Sequence, residues 1–397
     1  MASEQAAMGY EPLICGTDRL ARRAIRPWRG AMLAALRLAA GRGEDPDTGG
    51  VAVALNQLAL LEAYEGSHAN ALALCRSQVD FWRALAAQAG APGLLGGVIQ
   101  PLINIVRLER WSAGADGTVS LYGELAPARR GVAGPLLARH GIALGFEGLC
   151  ALDARADYAA LLDNVYWREY GRYLLQAGSE DALQALLGEG LSRPRSAFVQ
   201  LSLVEILLLQ QARSGKHDSA ARLLSGLGLA PDSLLWLHFK VCEMFLAQRR
   251  GAAEAPALQA AVMDAARRGR GIRDDAWGLN LLFDIGKVFR LLGCGAEEAE
   301  LLRLATQAAV RLGDEAVHFD ALARLAQLDG DASCALLQQF QHSGYASVRK
   351  RLGLAPASAC PDPQSAVAVA AAAHLARLDF GACLACLDGV DAALAAA

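Results

Sequence analysis

The sequence predicts an all-α protein built as an α-solenoid, a stack of antiparallel helix pairs. The first observation is composition: hydrophobic residues make up 54% of the 397-residue chain but aromatic residues only 6%, and alanine and leucine predominate. This mixture favours helices over strands, which are rich in β-branched and aromatic residues. The second observation is repetition, because glycines at positions 178, 215, 251, 293 and 330 lie 37, 36, 42 and 37 residues apart. Such regular spacing indicates stacked repeats.

Each repeated unit has the same order of residue types: large apolar residues and a small residue in a first helix, a turn glycine, and a small residue in a second helix. Small residues let two helices approach closely, and the glycine ends the first helix in a left-handed conformation. The units comprise Leu55, Leu58, Ala59, Gly66, Ala71 and Cys75; Trp167, Tyr170, Gly171, Gly178 and Ala182; Val204, Leu207, Leu208, Gly215, Ala220 and Leu224; Leu282, Ile285, Gly286, Phe289, Gly293 and Ala299; Phe319, Leu322, Ala323, Gly330 and Ala335.

This pattern resembles the tetratricopeptide repeat, in the longer and more degenerate form found in bacterial regulators and adaptors. Its period exceeds the 34 residues of the standard unit. The resemblance implies a right-handed α-solenoid, with about eight helix pairs and an extended concave surface. Such surfaces suit peptides and protein segments.

Three interruptions divide the chain into five segments. Residues 1–50 contain an Arg-rich helix and are interpreted as an N-terminal capping segment, and residues 51–111 hold the first tetratricopeptide-like repeats. Residues 112–134 form a Gly-rich insertion, which we expect to be a mobile loop or a short hairpin. The central array covers residues 135–352. Residues 353–397 contain a Pro-rich linker and a C-terminal capping helix pair that would close the array.

Charge and hydropathy argue against several classes of partner. The net charge of -3 provides no general attraction for nucleic acid, so none is expected. The longest apolar run, residues 366–373, is far shorter than the roughly 20 residues of a membrane span, so no membrane insertion is expected. The N-terminal residues lack the pattern of an export signal, and nine scattered cysteines indicate buried thiols in a reducing compartment. We therefore expect a cytoplasmic protein.

Motifs for catalysis or metal binding are incomplete. Glu315 and His318 have the spacing of a helical metal site, but no second pair accompanies them, which favours a solvated helix face. Cys383 and Cys386 lie in an Ala/Leu-rich helix, where core packing is favoured over redox chemistry. Phosphate-binding loops and nucleophile elbows are missing from their usual contexts. We expect no metal or cofactor, and the sequence favours a protein that is not an enzyme.

The helical register predicts one binding surface. The resemblance to tetratricopeptide arrays implies that residues two before and two after the packed positions of the first helices face the concave side, which then carries more basic than acidic groups. Guanidinium groups match carboxylates geometrically, so the predicted partner is a protein or peptide with an acidic or carboxylate-terminated segment. The predicted ligand-binding residues are Arg168, Arg172, Asn280, Lys287, Arg290 and Arg324. The same register places Asn56, Glu205, Phe283 and Asp320 on this surface. Ordinary solvated helix faces are the alternative interpretation.

A non-catalytic scaffold or adaptor is the favoured function, since extended concave surfaces suit binding better than covalent chemistry. One alternative is a sensor or regulatory protein that binds a small molecule or a signalling peptide. A second is an enzyme or accessory protein of a biosynthetic pathway on a helical scaffold. It would need titratable groups from different repeats, such as Glu315, His318 and Asp284.

Overall fold

A computed structural model describes residues 25–41, 46–64, 67–110, 112–153, 157–192, 197–214, 216, 234–268, 276–312, 315–329, 338–342, 352 and 363–395. Every secondary-structure element in these ranges is helical, which confirms the predicted all-α class for the described part of the chain. The described residues form two compact units. The first unit contains those up to 182 together with those from 363 onward, and the second contains those from 183 to 352.

The helices of the described residues are named here in chain order. The first nine are α1 Ile25–Ala40, α2 Thr48–Tyr64, α3 His68–Gln88, α4 Ile99–Glu109, α5 Ala115–Gly123, α6 Pro135–Arg139, α7 Phe146–Leu152, α8 Tyr158–Asp163 and α9 Gly171–Ala177. They are followed by α10 Glu180–Leu191, α11 Ala197–Arg213, α12 Leu234–Arg250, α13 Ala255–Arg268, α14 Ala276–Leu291, α15 Gly295–Leu312 and α16 Glu315–Asp329. The last two are α17 Pro363–Leu375 and α18 Phe380–Ala395. Short 3₁₀ segments occupy Pro92–Val98, Pro127–Arg129 and Gln338–His342, and a π-helical segment occupies Asn164–Tyr170.

Amphipathic sequence explains why these segments are helical and where they pack. In α13, Val262 and Ala266 are fully buried, while Asp264 and Arg268 on the opposite side are exposed. Apolar residues at this spacing form one stripe along a helix, which must pack against a neighbour. The stripes of the described helices α12 to α16 meet in the core of the second unit. Its members include Leu237, Met244, Val262, Leu279, Ile285, Phe289, Leu301, Ala305 and Val317.

Three of the predicted turn glycines have the expected backbone. Gly178, Gly251 and Gly293 have φ angles of 71°, 65° and 75°, and each separates two consecutive helices. Glycine adopts this left-handed conformation without the steric cost that a β-carbon imposes. The prediction is confirmed at these three positions. Gly66, Gly215 and Gly330 lie outside the described residues.

Within the Gly-rich insertion at 112–134, residues 115–123 form a helix and 127–129 a short 3₁₀ segment, so the predicted loop or hairpin is wrong for these residues. Helix α5 begins after Gly114 and buries Thr118 and Tyr122, which lie four residues apart on one face. The Tyr122 ring stacks on Tyr170 with 5.3 Å between ring centroids, and its hydroxyl accepts a hydrogen bond from Arg110 at 2.8 Å. Tertiary packing of this face outweighs the local β-propensity of the segment.

The C-terminal helix pair belongs to the first unit. Helix α17 packs on α3, and α18 packs on α1, where Arg37 and Asp388 form a 2.6 Å ion pair. Ser365 of α17 also donates a 2.5 Å hydrogen bond to the buried carboxylate of Glu62 in α2. The sequence interpretation put this pair at the end of the array, whereas the structure packs it on the N-terminal helices.

Candidate functional site

A pocket of about 290 Å³ opens between three helices of the second unit. Helix α14 contributes Phe283 and Arg290, α15 contributes Glu298 and Leu302, and α16 contributes three polar residues. The complete lining is Phe283, Arg290, Glu298, Leu302, Asp320, Arg324 and Gln327. Three successive helices, α14, α15 and α16, therefore form the site.

Local sequence fixes the position of the α14 and α15 walls. Phe289 is fully buried beneath the turn, and its carbonyl accepts a 3.0 Å hydrogen bond from the amide of Cys294. The left-handed Gly293 reverses the chain, so that α15 starts beside the end of α14. Gly286 faces α15, and a β-carbon there would lie 3.9 Å from Leu301 and Leu302. The two helices consequently pack closely along the pocket.

Glu298 is the electrostatic centre of the pocket. Its side chain is only 3% exposed, and Arg324 donates to both of its oxygens, from Nε at 2.7 Å and from Nη2 at 3.0 Å. This is the two-point geometry that pairs a guanidinium with a carboxylate. The hydrogen bond with Glu298 raises the pKa of Arg324 further above its ordinary value, so the arginine stays charged.

Arg290 is the more accessible of the two arginines. Its side chain is 44% exposed, and its Nε lies 3.9 Å from Oε1 of Glu298, beyond hydrogen-bond distance. Arg324 is 26% exposed and also donates from Nη1 to Gln327 at 2.8 Å. Arg290 therefore retains donors for a group that enters the pocket, while Phe283 and Leu302 offer apolar contacts.

The structure brings together two of the six predicted ligand-binding residues, Arg290 and Arg324. Phe283 and Asp320, predicted on the same surface, line the same pocket. Lys287 and Asn280 also lie on α14, but their side chains are outside the described set. The six predicted residues thus fall into three pairs. One pair lines the pocket, the side chains of the second pair are not described, and the third pair belongs to the other unit.

That third pair, Arg168 and Arg172, belongs to the first unit. Arg168 lies in the π-helical segment and Arg172 in α9, and both side chains are partly buried. They follow the fully buried Trp167, which packs against Tyr166, and Tyr166 in turn packs against Tyr170. Their assignment to a binding surface stays a prediction.

Sequence reasoning missed Glu298. The register argument considered only the first helix of each repeat, whereas Glu298 lies in the first turn of a second helix. A signal was present, because Glu297 and Glu298 follow the turn glycines 293 and 295, and acidic residues are favoured at a helix N-terminus. Only the packing of α16 against α15 shows that one of the two carboxylates is buried beneath an arginine.

A second polar cluster lies in the core of the first unit. Asn104 of α4 donates to Asn56 of α2 at 2.6 Å, and Arg107 donates from Nη2 to Glu169 at 2.6 Å and from Nη1 to Asn104 at 3.2 Å. Asn56 is 6% exposed and Arg107 is 8% exposed. The cluster satisfies its own hydrogen bonds, so it fixes the helices. Asn56, predicted on the concave surface, is instead covered by α4.

The structure also describes two of the other residues that were considered for metal binding or redox chemistry, His318 and Cys383. His318 packs edge-on against Phe340 with 5.2 Å between ring centroids, and the described residues contain no cluster of three metal-ligating side chains. Burial, and after it the neighbouring Cys386, raises the pKa of the Cys383 thiol to about 12. The side chains of Asp284 and Glu315 lie outside the described set.

Among the described helices, none has the length and apolar content needed to cross a bilayer.

Comparison with known proteins adds no family assignment to this site. No protein-family model, curated protein or solved structure matches the chain. The geometry of the pocket, rather than a relative, therefore carries the functional argument.

Proposed function

We propose that this chain is a tetratricopeptide-like scaffold or adaptor that binds a protein or peptide segment without catalysing a reaction. The supporting observation is the pocket between α14, α15 and α16. Four residues that the helical register assigns to one surface, Phe283, Arg290, Asp320 and Arg324, line this single pocket. Helical repeats commonly bind extended segments through such surfaces.

Arg290 is the proposed contact for an acidic side chain or a terminal carboxylate of the partner. Glu298 already neutralises Arg324 through two hydrogen bonds, whereas Arg290 is half-exposed and has no hydrogen bond to Glu298. A charged hydrogen bond of this kind contributes about 1.5 to 3 kcal/mol. Phe283 and Leu302 would receive an adjacent apolar group.

The first prediction tests this contact directly. Acidic peptides with free carboxyl termini should bind the wild-type chain, and Arg290→Gln should weaken the binding roughly ten- to a hundredfold, since it removes one charged hydrogen bond. Added salt should weaken the same complex, because exposed charges are screened over about 8 Å at physiological ionic strength. Fluorescence anisotropy with labelled peptides measures both effects.

Arg267→Gln is the matched control. Arg267 lies in the same unit at the end of α13, pairs with Glu300 at 2.6 Å, and does not line the pocket. It should leave peptide affinity unchanged. If Arg267→Gln weakens binding as much as Arg290→Gln does, the binding surface is not this pocket.

A small polar molecule is a second candidate ligand, because about 290 Å³ is near the lower limit of small-molecule sites. This would make the protein a sensor. Native mass spectrometry of the purified chain distinguishes the two functions: a retained metabolite that Arg290→Gln releases would support the sensor, and its absence together with peptide binding would support the adaptor.

A further inference from the structure

A wider groove, distinct from the pocket above, lies in the first unit between α3 and the end of α17. Its volume is about 600 Å³, within the range of pockets that hold small molecules. The lining residues are Ser77, Asp80, Arg83, Ala84, Ala87, Ala373, Ala376 and Arg377. We refer to it as the α3/α17 groove.

Small residues make the groove and charged residues border it. The four alanines, two from each side, leave the space between the helices unfilled. Arg83 and Asp80 come from α3, and Arg377 comes from the turn that follows α17. Two positive charges and one negative charge therefore face the same space, with the hydroxyl of Ser77 as a further donor.

The backbone of a neighbouring loop makes room for Arg83. Gly141 has a φ angle of 64°, and a β-carbon at this residue would lie 2.6 Å from Nη2 of Arg83. Any other residue at 141 would be strained and would also displace the guanidinium. Arg83 contacts Asp80 only at 3.4 Å, and both side chains are well exposed, at 40% and 52%. An exposed pair of this kind is weak, so Arg83 can exchange Asp80 for an anionic ligand.

Arg377 can likewise donate hydrogen bonds to an anionic ligand. Within the described residues, its hydrogen bond is made by Nε to the carbonyl of Ala373 at 3.2 Å, which leaves the two terminal nitrogens as donors. The next residue, Leu378, has a φ angle of 58°. That left-handed conformation is costly for a residue with a β-carbon, and it ends α17 so that Arg377 lies at the rim of the groove.

Nearby charges add to the positive potential. Arg76 and Arg139 lie 3.3 and 2.9 Å from opposite oxygens of Glu109, so two arginines share one carboxylate. This group lies beside the α3 rim, since Arg76 lies four residues before Asp80 on the same helix and is its neighbour on the helix surface.

We propose that the α3/α17 groove binds the phosphate group of a phosphorylated small molecule, with Arg83 and Arg377 providing the charge and Ser77 a hydroxyl donor. A phosphate monoester has three oxygens that accept hydrogen bonds from several directions, and planar guanidinium groups bind it in a two-point geometry. The volume leaves room for the organic part of the ligand. This site belongs to the first unit and does not depend on the function proposed for the second.

The test uses the full chain, with inorganic phosphate and free phosphoserine as probes at constant ionic strength. Calorimetric titration should detect binding of both in the wild type. Arg83→Gln and Arg377→Gln should each weaken phosphoserine binding about tenfold, the loss of one charged hydrogen bond. Asp80→Asn should tighten it about two- to fivefold, because the competing carboxylate of an exposed pair is removed.

The opposite effect of Asp80→Asn separates a binding site from a merely structural cluster. All three residues are exposed enough for their variants to fold, which circular dichroism checks, and Arg267→Gln in the second unit should leave phosphoserine binding unchanged. Absence of binding by the wild type, or a neutral Asp80→Asn together with neutral arginine variants, would overturn the proposal. Much tighter binding of a phosphoserine peptide than of free phosphoserine would overturn its assignment to small molecules.

Discussion

Two buried carboxylates, Glu62 and Glu298, each join helices through an arginine. Glu62 of α2 accepts a 2.9 Å hydrogen bond from Arg29 of α1, and both side chains are fully buried. Its second oxygen accepts from Ser365 at 2.5 Å and from Asn70 at 3.2 Å. Removing one partner from such a group leaves an unpaired buried charge, so the network is sensitive to single substitutions.

Glu62→Gln should lower the free energy of unfolding by about 3 to 5 kcal/mol, since it removes the buried negative charge to which Arg29, Ser365 and Asn70 donate. Urea denaturation measures the change. Glu254→Gln provides the control, because its partnership with Arg250 is exposed, at 57% and 27%, and should be worth less than about 0.5 kcal/mol. Equal effects of the two variants would mean that the buried Glu62 contributes no more to stability than an exposed ion pair does.

Protonation of the single residue His140 should make the stability of the protein depend on pH. Burial, followed by the nearby Arg139 and Arg76, lowers its pKa below 6.5, with Asp80 and Glu109 acting in the opposite direction. The unfolded chain therefore binds this proton more readily than the folded chain. The stability that depends on neutral His140 is complete above pH 6.5 and is lost as the pH falls towards the lower folded pKa. His140→Gln should remove this loss in denaturation series across that range, and parallel curves for variant and wild type would contradict it.

Helices and turns differ in how far local sequence determines them. The spacing of Gly178, Gly251 and Gly293 was sufficient to predict three turns, because a left-handed residue at a helix end strongly favours glycine. Helix α5 was not predictable in this way, since Gly117 and the β-branched Val119, both within it, disfavour a helix. Its stacked Tyr122 supplies the stabilising contact, and that contact comes from residues about fifty positions further along the chain.

A pair of glycine substitutions around one turn tests this difference. Gly178→Ala should cost about 1 to 2 kcal/mol, because alanine is disfavoured in the left-handed conformation, although an added β-carbon would contact nothing within 4 Å. Gly188→Ala, in the exposed middle of α10, should stabilise the protein by about 0.5 to 1 kcal/mol. Chemical denaturation should therefore give changes of opposite sign. Stabilisation by both would show that residue 178 leaves the left-handed region.

At the scale of the whole molecule, the chain brings its last helix pair back to its first helices. Residues 363–395 pack with α1, α2 and α3 in one compact unit, and Leu375 of α17 is fully buried there. In a linear repeat array each unit contacts only its neighbours. The first unit therefore depends on residues that lie 303 positions apart in sequence, such as Glu62 and Ser365.

Leu375→Ala should lower stability by about 2 to 5 kcal/mol through the cavity it leaves. Amide hydrogen exchange should accelerate in α1, α2 and α3, because their packing surface on α17 is weakened. Exchange in α14 and α15, which belong to the other unit, should not change. Val310→Ala, at a position that is 58% exposed, is the control. Acceleration confined to α17 itself would contradict the proposed dependence of the first helices.

The sequence by itself determined the helical class, the turns at Gly178, Gly251 and Gly293, and the face of its own helix on which each of Arg290 and Arg324 lies. These features depend on composition, on the steric freedom of one residue, or on helical periodicity, all of which are local. Only the tertiary structure decided that Glu298 lies beneath Arg324, that residues 115–123 are helical, and that Ser365 meets Glu62. Each of these depends on a partner distant in sequence, and the free energy of burying the two together exists only once the helices have packed.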